Sequence, residues 1–241
     1  MPILAGLVLA ALAFAGLIGL GTWQLERRAW KLDLIARVTE RVRAAPVPAP
    51  IRPDWPRVTA ADDAYRHVRA TGTFLNDRET LVQAVTERGA GFWVLTPLSL
   101  GDGGIVLINR GFVPADRRDP ASRAAGRISG ETTVSGLLRL SEPGGAFLRA
   151  NDPAGERWYS RDVAAIARAR GLGEVAPYFI DAEASPLPGG LPVGGLTVIA
   201  FRNDHLVYAL TWYALALMVA GAAVYLVYDA RRSRLRAPGR A

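Results

Sequence analysis

The chain contains no cysteine. This absence excludes disulfide bonds, cysteine-based zinc sites, iron–sulfur clusters and the covalent attachment of c-type haem. Histidine is almost as scarce, because the 241 residues contain only His67 and His205, so a histidine-rich metal site is a poor candidate. The motifs G-x-S-x-G, H-E-x-x-H and the P-loop lysine motif are also missing, which argues against the commonest hydrolase classes. A catalytic triad could use only His67.

Charged side chains are missing from two long runs, residues 1–25 and 206–228. The second run spans 23 residues, enough to cross a hydrocarbon core of roughly 30 Å at about 1.5 Å per helical residue. The first run predicts an uncleaved membrane helix rather than a signal peptide, because no basic flank precedes it and the apolar stretch continues past a candidate cleavage site. We therefore predict transmembrane helices within residues 1–25 and 203–228.

The segment after the first apolar run, residues 26–53, predicts an amphipathic helix followed by a proline-rich linker. Apolar residues recur at helical spacing to about Ala44, and charged residues fill much of the opposite face. Prolines from Pro46 onward end the helix. Inside the membrane run, Gly16, Gly19 and Gly21 provide small surfaces that a second helix could approach closely.

Residues 54–202 predict a water-soluble α+β domain. A short helix is predicted over residues 162–170, and segments rich in β-branched and aromatic residues predict strands over 66–74, 79–85, 92–100, 105–112, 131–140, 177–182 and 196–201. The turn Gly101-Asp-Gly-Gly104 suits a hairpin. The predicted fold is a membrane protein with two transmembrane helices flanking a mainly antiparallel β domain, with a partly closed barrel as one arrangement.

The net charge is +7, and the tail at residues 229–241 contributes five arginines (Arg231, Arg232, Arg234, Arg236 and Arg240) against one aspartate. The positive-inside rule predicts that this tail and the N-terminus are cytoplasmic and that the central domain is periplasmic. Basic residues after the first span oppose this orientation, but long domains translocate largely regardless of charge. The central domain is only mildly basic, so we predict no nucleic-acid partner.

His205, at the entrance of the second apolar run, is the main candidate for a ligand. Asn203 or Asp204 is predicted to cap the helix, which places His205 in the first turn, where the helix dipole favours the neutral imidazole that binds metals. Tyr208 and Trp212 follow at helical spacing and would form an aromatic wall. A porphyrin iron fits this chemistry. A histidine bonded to water or lipid headgroups, within an interfacial belt of Tyr and Trp, explains the same residues.

Arg110 is the second candidate, beside Gly111 in the segment N-R-G-F-V-P at residues 109–114. A guanidinium at the end of a strand suits a carboxylate, a phosphate or a haem propionate. A structural ion pair beneath a turn is the alternative.

Five segments occur in a fixed order: GTWQLERRAWK at residues 21–31, RATGTF at 69–74, GFWVLTPL at 91–98, VLINRGFVP at 106–114 and NDHLVYALTWY at 203–213. Each segment alone is a weak indicator of a family, but all five in this order between two apolar runs are a specific one. Together they resemble the Surfeit locus protein 1 family, in a bacterial member. Phe112 stands where that family usually has tryptophan, and residues 126–192 carry few recognisable family residues, so the resemblance assigns no site there.

The resemblance implies a non-enzymatic, chaperone-like assembly factor of the respiratory chain, acting on cytochrome c oxidase when haem a enters subunit I. The implied partners are subunit I, the haem a biosynthesis machinery and the lipid bilayer of the bacterial inner membrane. By motif, His205 would be the axial ligand of the haem iron. Tyr208 and Trp212 would then form pocket walls, and Arg110 would contact a propionate or a partner.

Two other functions stay open at this point. A membrane-anchored scaffold could hold nascent oxidase subunits without binding haem, through the segment at residues 24–31. A membrane-anchored hydrolase would need activity that depends on His67.

Overall fold

The computed structural model of the protein describes residues 2–146, 148–199 and 201–236. The chain forms two compact units, a helical unit of Met1–Arg37 with Ala200–Ala241 and a sheet unit of Val38–Ile199. In chain order the elements are α1 (Pro2–Arg43), β1 (Val47–Pro48), α2 (Ala60–Asp63), β2 (His67–Phe74), β3 (Thr80–Thr86), β4 (Gly89–Leu100), β5 (Ile105–Pro114), β6 (Glu131–Leu140), α3 (Val163–Ala169), β7 (Val175–Ala182) and α4 (His205–Arg236).

The helical unit contains α4 and most of α1. Both helices are long and apolar enough to cross a membrane, with windows of mean hydropathy 2.6 in α1 and 1.9 in α4. The predicted membrane helix and its amphipathic continuation form one uninterrupted helix, which ends at Arg43 shortly before Pro46. Arg231 and Arg232 of the predicted basic tail lie on α4, whereas Arg240 lies outside the described residues.

The sheet unit is built around a closed barrel of five strands. Sheet order is β1-β2-β6-β7-β5-β4-β3, and β2 also pairs with β4, from Gly72 opposite Leu100 to Phe74 opposite Leu98, which closes the ring. Pairings are antiparallel except for β5 with β7 and the short β1 with β2. The predicted α+β fold with a mainly antiparallel sheet is confirmed, and its barrel is closed.

Two apolar clusters occupy the two faces of this sheet. The first contains residues from all five barrel strands and therefore fills the barrel interior; Val68, Leu98, Ile108, Leu138 and Tyr178 are members. The second packs α3 and Trp158 against the outer face of β4, β5 and β7. Because both of its faces are covered, β5 is buried along nearly its whole length, which suits its run of apolar residues.

Most predicted elements of the sheet unit are confirmed, and one is wrong. The strand at residues 131–140 and the hairpin turn at 101–104 occur as predicted, and the Asp162 side chain caps α3 by accepting from Ala165 N at 3.0 Å. The strand predicted over residues 196–201 is absent from the described residues 196–199 and 201. The chain that returns to the sheet pairs with it earlier, through an isolated bridge between Val193 and Phe112 and a hydrogen bond from Gly195 N to the Ala182 carbonyl at 3.0 Å. Because β7 is already paired with β5 and β6, it offers residues 196–199 no ladder to continue.

Candidate functional site

The two long helices contact each other within the helical unit through small residues. A Cβ added at Gly21 of α1 would lie 2.6 Å from Cε1 of Tyr213 on α4, so the tyrosine ring occupies space that only glycine leaves free. Ala209, one turn before Tyr213, is fully buried. The predicted close approach is confirmed at Gly21. It does not extend to Gly16 and Gly19, where an added Cβ would meet nothing within 4 Å in the described chain.

His205 lies at the first residue of α4 and is tied to α1 by one hydrogen bond. Its Nδ1 lies 2.7 Å from Oε1 of Gln24. An amide oxygen only accepts hydrogen bonds, so Nδ1 is the nitrogen that carries the proton, and the lone pair of the neutral ring lies on Nε2. No described residue forms a hydrogen bond with Nε2. This is the arrangement of a metal-ligating histidine, in which the second ring nitrogen donates to a fixed acceptor.

Asp204 occupies the N-cap position of α4, so His205 lies in the first turn as predicted, although neither predicted capping residue caps the helix with its side chain. Asp204 accepts the hydrogen bond of Tyr208 N through its backbone carbonyl at 3.2 Å, while its carboxylate pairs with Arg202 at 2.9 Å. Oδ1 of Asn203 is enclosed and has no hydrogen-bond partner among the described residues. The Asn203 oxygen, two residues before His205, is therefore a second polar atom of this region without a hydrogen-bond partner in the described chain.

Tyr208 and Trp212 follow His205 by about one and two helical turns, as predicted. The Tyr208 side chain is 56% exposed, and Trp212 is half-buried. Ala209 is the buried member of this stretch. Aromatic surface is therefore available beside the imidazole and is not used up in the contact between the helices.

Arg110 lies on β5, in the sheet unit, and so in a different compact unit from the other three predicted site residues. Its guanidinium is buried, donates from Nη2 to the Gly126 carbonyl at 2.6 Å and lies 5.0 Å from the centre of the Phe74 ring. Burial lowers the pKa of Arg110 below its ordinary value; Glu79 acts in the opposite direction, and nearby arginines reinforce the burial effect.

Comparison with known protein families places these residues in context. Residues 11–217 match the profile of the SURF1 family. The chain is 40% identical over 216 residues to Surfeit locus protein 1 of Homo sapiens, an alignment that covers 82% of this chain and 69% of the human protein. It is 39% identical over 235 residues to the SURF1-like protein of Monosiga brevicollis, covering 91% and 87% of the two chains.

The chain belongs to the SURF1 family. The matched range includes His205, Gln24, Trp212 and Arg110. It also includes His67, whose ring is held by the Ala44 carbonyl, 2.7 Å from Nδ1. Nε2 of His67 lies 2.9 Å from a carboxylate oxygen of Glu183 without the alignment of a hydrogen bond. Neither ring nitrogen of His67 forms a hydrogen bond with a hydroxyl group of the described residues, so the structure offers no support for the hydrolase hypothesis.

The SURF1-family chain also contains a buried ionic network that the sequence analysis missed. Asp181 on β7 accepts hydrogen bonds from four side chains, those of Asn109 (2.7 Å), Arg139 (3.0 Å), Arg161 (3.1 Å) and Thr197 (3.1 Å). Burial disfavours the charged form of Arg161, but Glu142 and Asp181 outweigh it and hold its pKa above the ordinary value. Two arginines face two carboxylates, so the charges of the cluster balance, as is typical of a structural ion-pair network.

The contact between Gln24 and His205 is the feature of this region that the sequence did not predict. The only available signal was the position of Gln24 in the segment at residues 21–31, which carried part of the family resemblance. The described residues contain no group of three or more histidine, aspartate or glutamate side chains that could hold a metal ion. A metal held through His205 would therefore need to bring most of its own ligands, as the iron of a porphyrin does.

Proposed function

We propose that this SURF1-family chain is a membrane-bound assembly factor for cytochrome c oxidase, which binds haem a during maturation of subunit I. The observation that carries the proposal is the hydrogen bond between His205 Nδ1 and Gln24 Oε1, at 2.7 Å. It orients the ring and leaves Nε2 as a lone-pair donor without a partner in the described chain. Haem a is the cargo, and the chain's part is to hold it without reacting with it.

The residues present fit a haem. A neutral imidazole supplies one axial ligand, and exposed aromatic surface at Tyr208 and Trp212 supplies a wall for a flat apolar macrocycle. The absence of cysteine leaves axial ligation, and not a covalent thioether, as the mode of attachment. Arg110 would contact a carboxylate, either a haem propionate or an acidic group of a partner.

The test is co-purification of haem from cells that make haem a. The chain contains only two histidines, so His67→Ala is a matched control for His205→Ala. We expect the His205 variant to lose bound haem and the His67 variant to keep it. Equal haem content in wild-type protein and in the His205 variant would exclude His205 as the ligand.

For location we propose the bacterial inner membrane, with both termini cytoplasmic and the sheet unit periplasmic. Two helices of sufficient length and hydropathy support a membrane location, and the arginines at residues 231 and 232 support the orientation. Protease added to intact spheroplasts should digest residues 54–202. A protected sheet unit would contradict this orientation.

A protein-binding scaffold that does not touch haem is the second candidate function. It is favoured by Trp30, whose side chain is 46% exposed on α1 and lies beneath the guanidinium of Arg27, 4.0 Å from the ring centre. An exposed Trp–Arg pair is typical of protein interfaces. The scaffold function requires that His205→Ala leaves oxidase assembly intact and that Trp30→Ala damages it, whereas the haem function requires damage by His205→Ala.

A further inference from the structure

Arg110 lines a cavity of about 260 Å³ within the sheet unit. We propose that this cavity is a binding site for a single carboxylate group. The proposal deepens the Arg110 contact of the proposed function and rests on it for the role of that residue. It does not depend on iron ligation by His205, because it concerns a different compact unit and a different chemical group.

The first observation is a buried cation without a counter-ion. The Arg110 residue is 7% exposed, yet no carboxylate of the described chain lies within ion-pair distance of its guanidinium. The nearby Glu79 is engaged by Arg123, which donates to both of its carboxylate oxygens. Arg123 and Arg127 add positive charge around Arg110. A buried charge is normally paired, so this site has a surplus that an anion would compensate.

The second observation is the unused hydrogen-bonding capacity of the same group. A guanidinium has five N–H donors, and the structure gives Arg110 one hydrogen bond with described residues, to the Gly126 carbonyl at 2.6 Å. The Phe74 ring, 5.0 Å away, covers one face of the group without using a donor. The cavity is therefore the place where the remaining donors can find an acceptor.

The lining of the cavity selects the class of anion. Four residues with hydroxyl groups line it, Thr132, Thr133, Ser135 and Ser185, and Arg110 is the only lysine or arginine among the described residues that do. One planar guanidinium matches one planar carboxylate, whereas a phosphate dianion would leave a charge uncompensated. A volume of about 260 Å³ is also below the roughly 300–1,000 Å³ of pockets for drug-sized ligands, so a carboxylate-bearing arm fits and a whole macrocycle does not.

Glu183 is the one acidic side chain on the lining, and it opposes an anion. Its carboxylate lies 2.9 Å from Nε2 of His67, outside the Arg110 contact. The half-exposed Glu183 is better solvated than the buried arginine, so its repulsion is screened more strongly than the attraction of Arg110.

The test is thermal unfolding of the full chain in detergent, with sodium propionate added against sodium chloride at equal ionic strength. We expect propionate to raise the unfolding temperature in a saturable way, because a ligand that binds only the folded state stabilises it. Arg110→Lys should weaken the apparent affinity by about tenfold or more, since it loses a paired, charge-assisted contact. Propionate responses that are identical in wild type and Arg110→Lys would overturn the proposal.

Two further variants make this result specific. Arg118→Lys is the matched control, because Arg118 also lies over an aromatic ring, 5.4 Å from the centre of Phe92, but does not line the cavity. It should keep the full propionate response. Ala184→Phe enlarges an exposed residue of the cavity lining and leaves Arg110 unchanged, so we expect it to abolish the response even if the lysine variant folds poorly. A full response in Ala184→Phe would also overturn the proposal.

The source of the carboxylate is then resolved by two pairs of probes, used in His205→Ala protein so that iron ligation does not contribute. Haem is compared with its dimethyl ester, and a short peptide with a free C-terminal carboxylate is compared with its amide. The pair whose free acid binds more tightly, with the difference lost in Arg110→Lys, identifies the source. If neither pair shows such a difference, no carboxylate-bearing ligand of either class uses the site, and the proposal is overturned.

Discussion

Two polar residues, one in each compact unit, differ in how much of their hydrogen-bonding capacity is used. In the sheet unit, Asp181 is 3% exposed and accepts from four side chains, so its acceptor capacity is used. In the helical unit, His205 has a single hydrogen bond, to Gln24, and its second nitrogen is unpaired within the described chain. A saturated group holds structure together, whereas a group oriented by one contact and otherwise unsatisfied is available for a ligand.

Two arginines of the sheet unit, Arg110 on β5 and Arg161 just before α3, differ in the same way. Arg161 pairs with Glu142 and Asp181, and these carboxylates overcome the effect of burial on its pKa. Arg110 is buried without such a partner, and burial is the main reason that its pKa is lowered. Arg110 thus resembles His205 more than it resembles its neighbours in the sheet unit.

The largest loss of stability is expected from removing Asp181, whose carboxylate accepts hydrogen bonds from four side chains. Asp181→Ala leaves Asn109, Arg139 and Arg161 without their shared acceptor, and removing one partner of a buried ion pair typically costs about 3–5 kcal/mol of unfolding free energy. Urea unfolding of the full chain in detergent measures it. Asp152→Ala, which removes an exposed pair with Arg157, is the control and should leave the midpoint unchanged. Equal midpoints for the two variants would contradict the assignment of Asp181 as a structural centre.

A smaller effect, on haem affinity, is expected from removing the hydrogen bond between Gln24 and His205 in the helical unit. Gln24→Leu should leave the fold intact but weaken haem affinity by about 10–100-fold, the usual cost of removing the hydrogen-bond partner of a metal-ligating histidine. Haem titration followed by absorbance measures the affinity. Gln83 is the other glutamine of the chain, on β3, so Gln83→Leu is a matched control that should not change it. Unchanged affinity in the Gln24 variant would mean that Gln24 does not orient His205.

The smallest change in stability is expected from an ion pair at the surface, between Arg170 and Glu156. Arg170 donates two hydrogen bonds to Glu156, at 2.7 and 2.5 Å, and holds the pKa of Glu156 below its ordinary value. A lowered pKa stabilises the folded state above the unfolded-state pKa, and this contribution is lost as the pH falls through the folded-state pKa. Because Glu156 is half-exposed, the contribution should be at most about 1 kcal/mol.

Glu156→Gln measures this contribution as a function of pH. We expect a small loss of unfolding free energy relative to wild type near pH 7, with the difference shrinking as the pH falls below about 4. Glu131→Gln is the control for removal of a carboxylate, because the Glu131 side chain forms no ion pair with described residues. A difference for Glu156 that grows in acid would contradict the sign of the shift.

Much of the local structure could be predicted from the sequence, because it depends on short-range chemistry. The strand at residues 131–140 follows from β-branched residues between turn signals, and the long first helix follows from an apolar run, helical spacing and the stop at Pro46. The segment at residues 196–201 is also rich in β-branched residues, but among its described residues it forms no strand. The chain pairs with the sheet just before it, at Val193, and a local pattern does not report which residues find a pairing partner.

The amino-acid sequence by itself determined the two apolar helices, most of the strands, the family and the candidate residues His205, Tyr208, Trp212 and Arg110. Only the tertiary structure decided that β2 meets β4 to close the barrel, that Asp181 collects four partners and that Arg110 has no counter-ion among the described residues. It alone joined Gln24 to His205 across 181 positions of the chain. The reason is that helices and strands arise from neighbouring residues, whereas the state of a ring nitrogen or a buried charge depends on residues that only folding brings into contact.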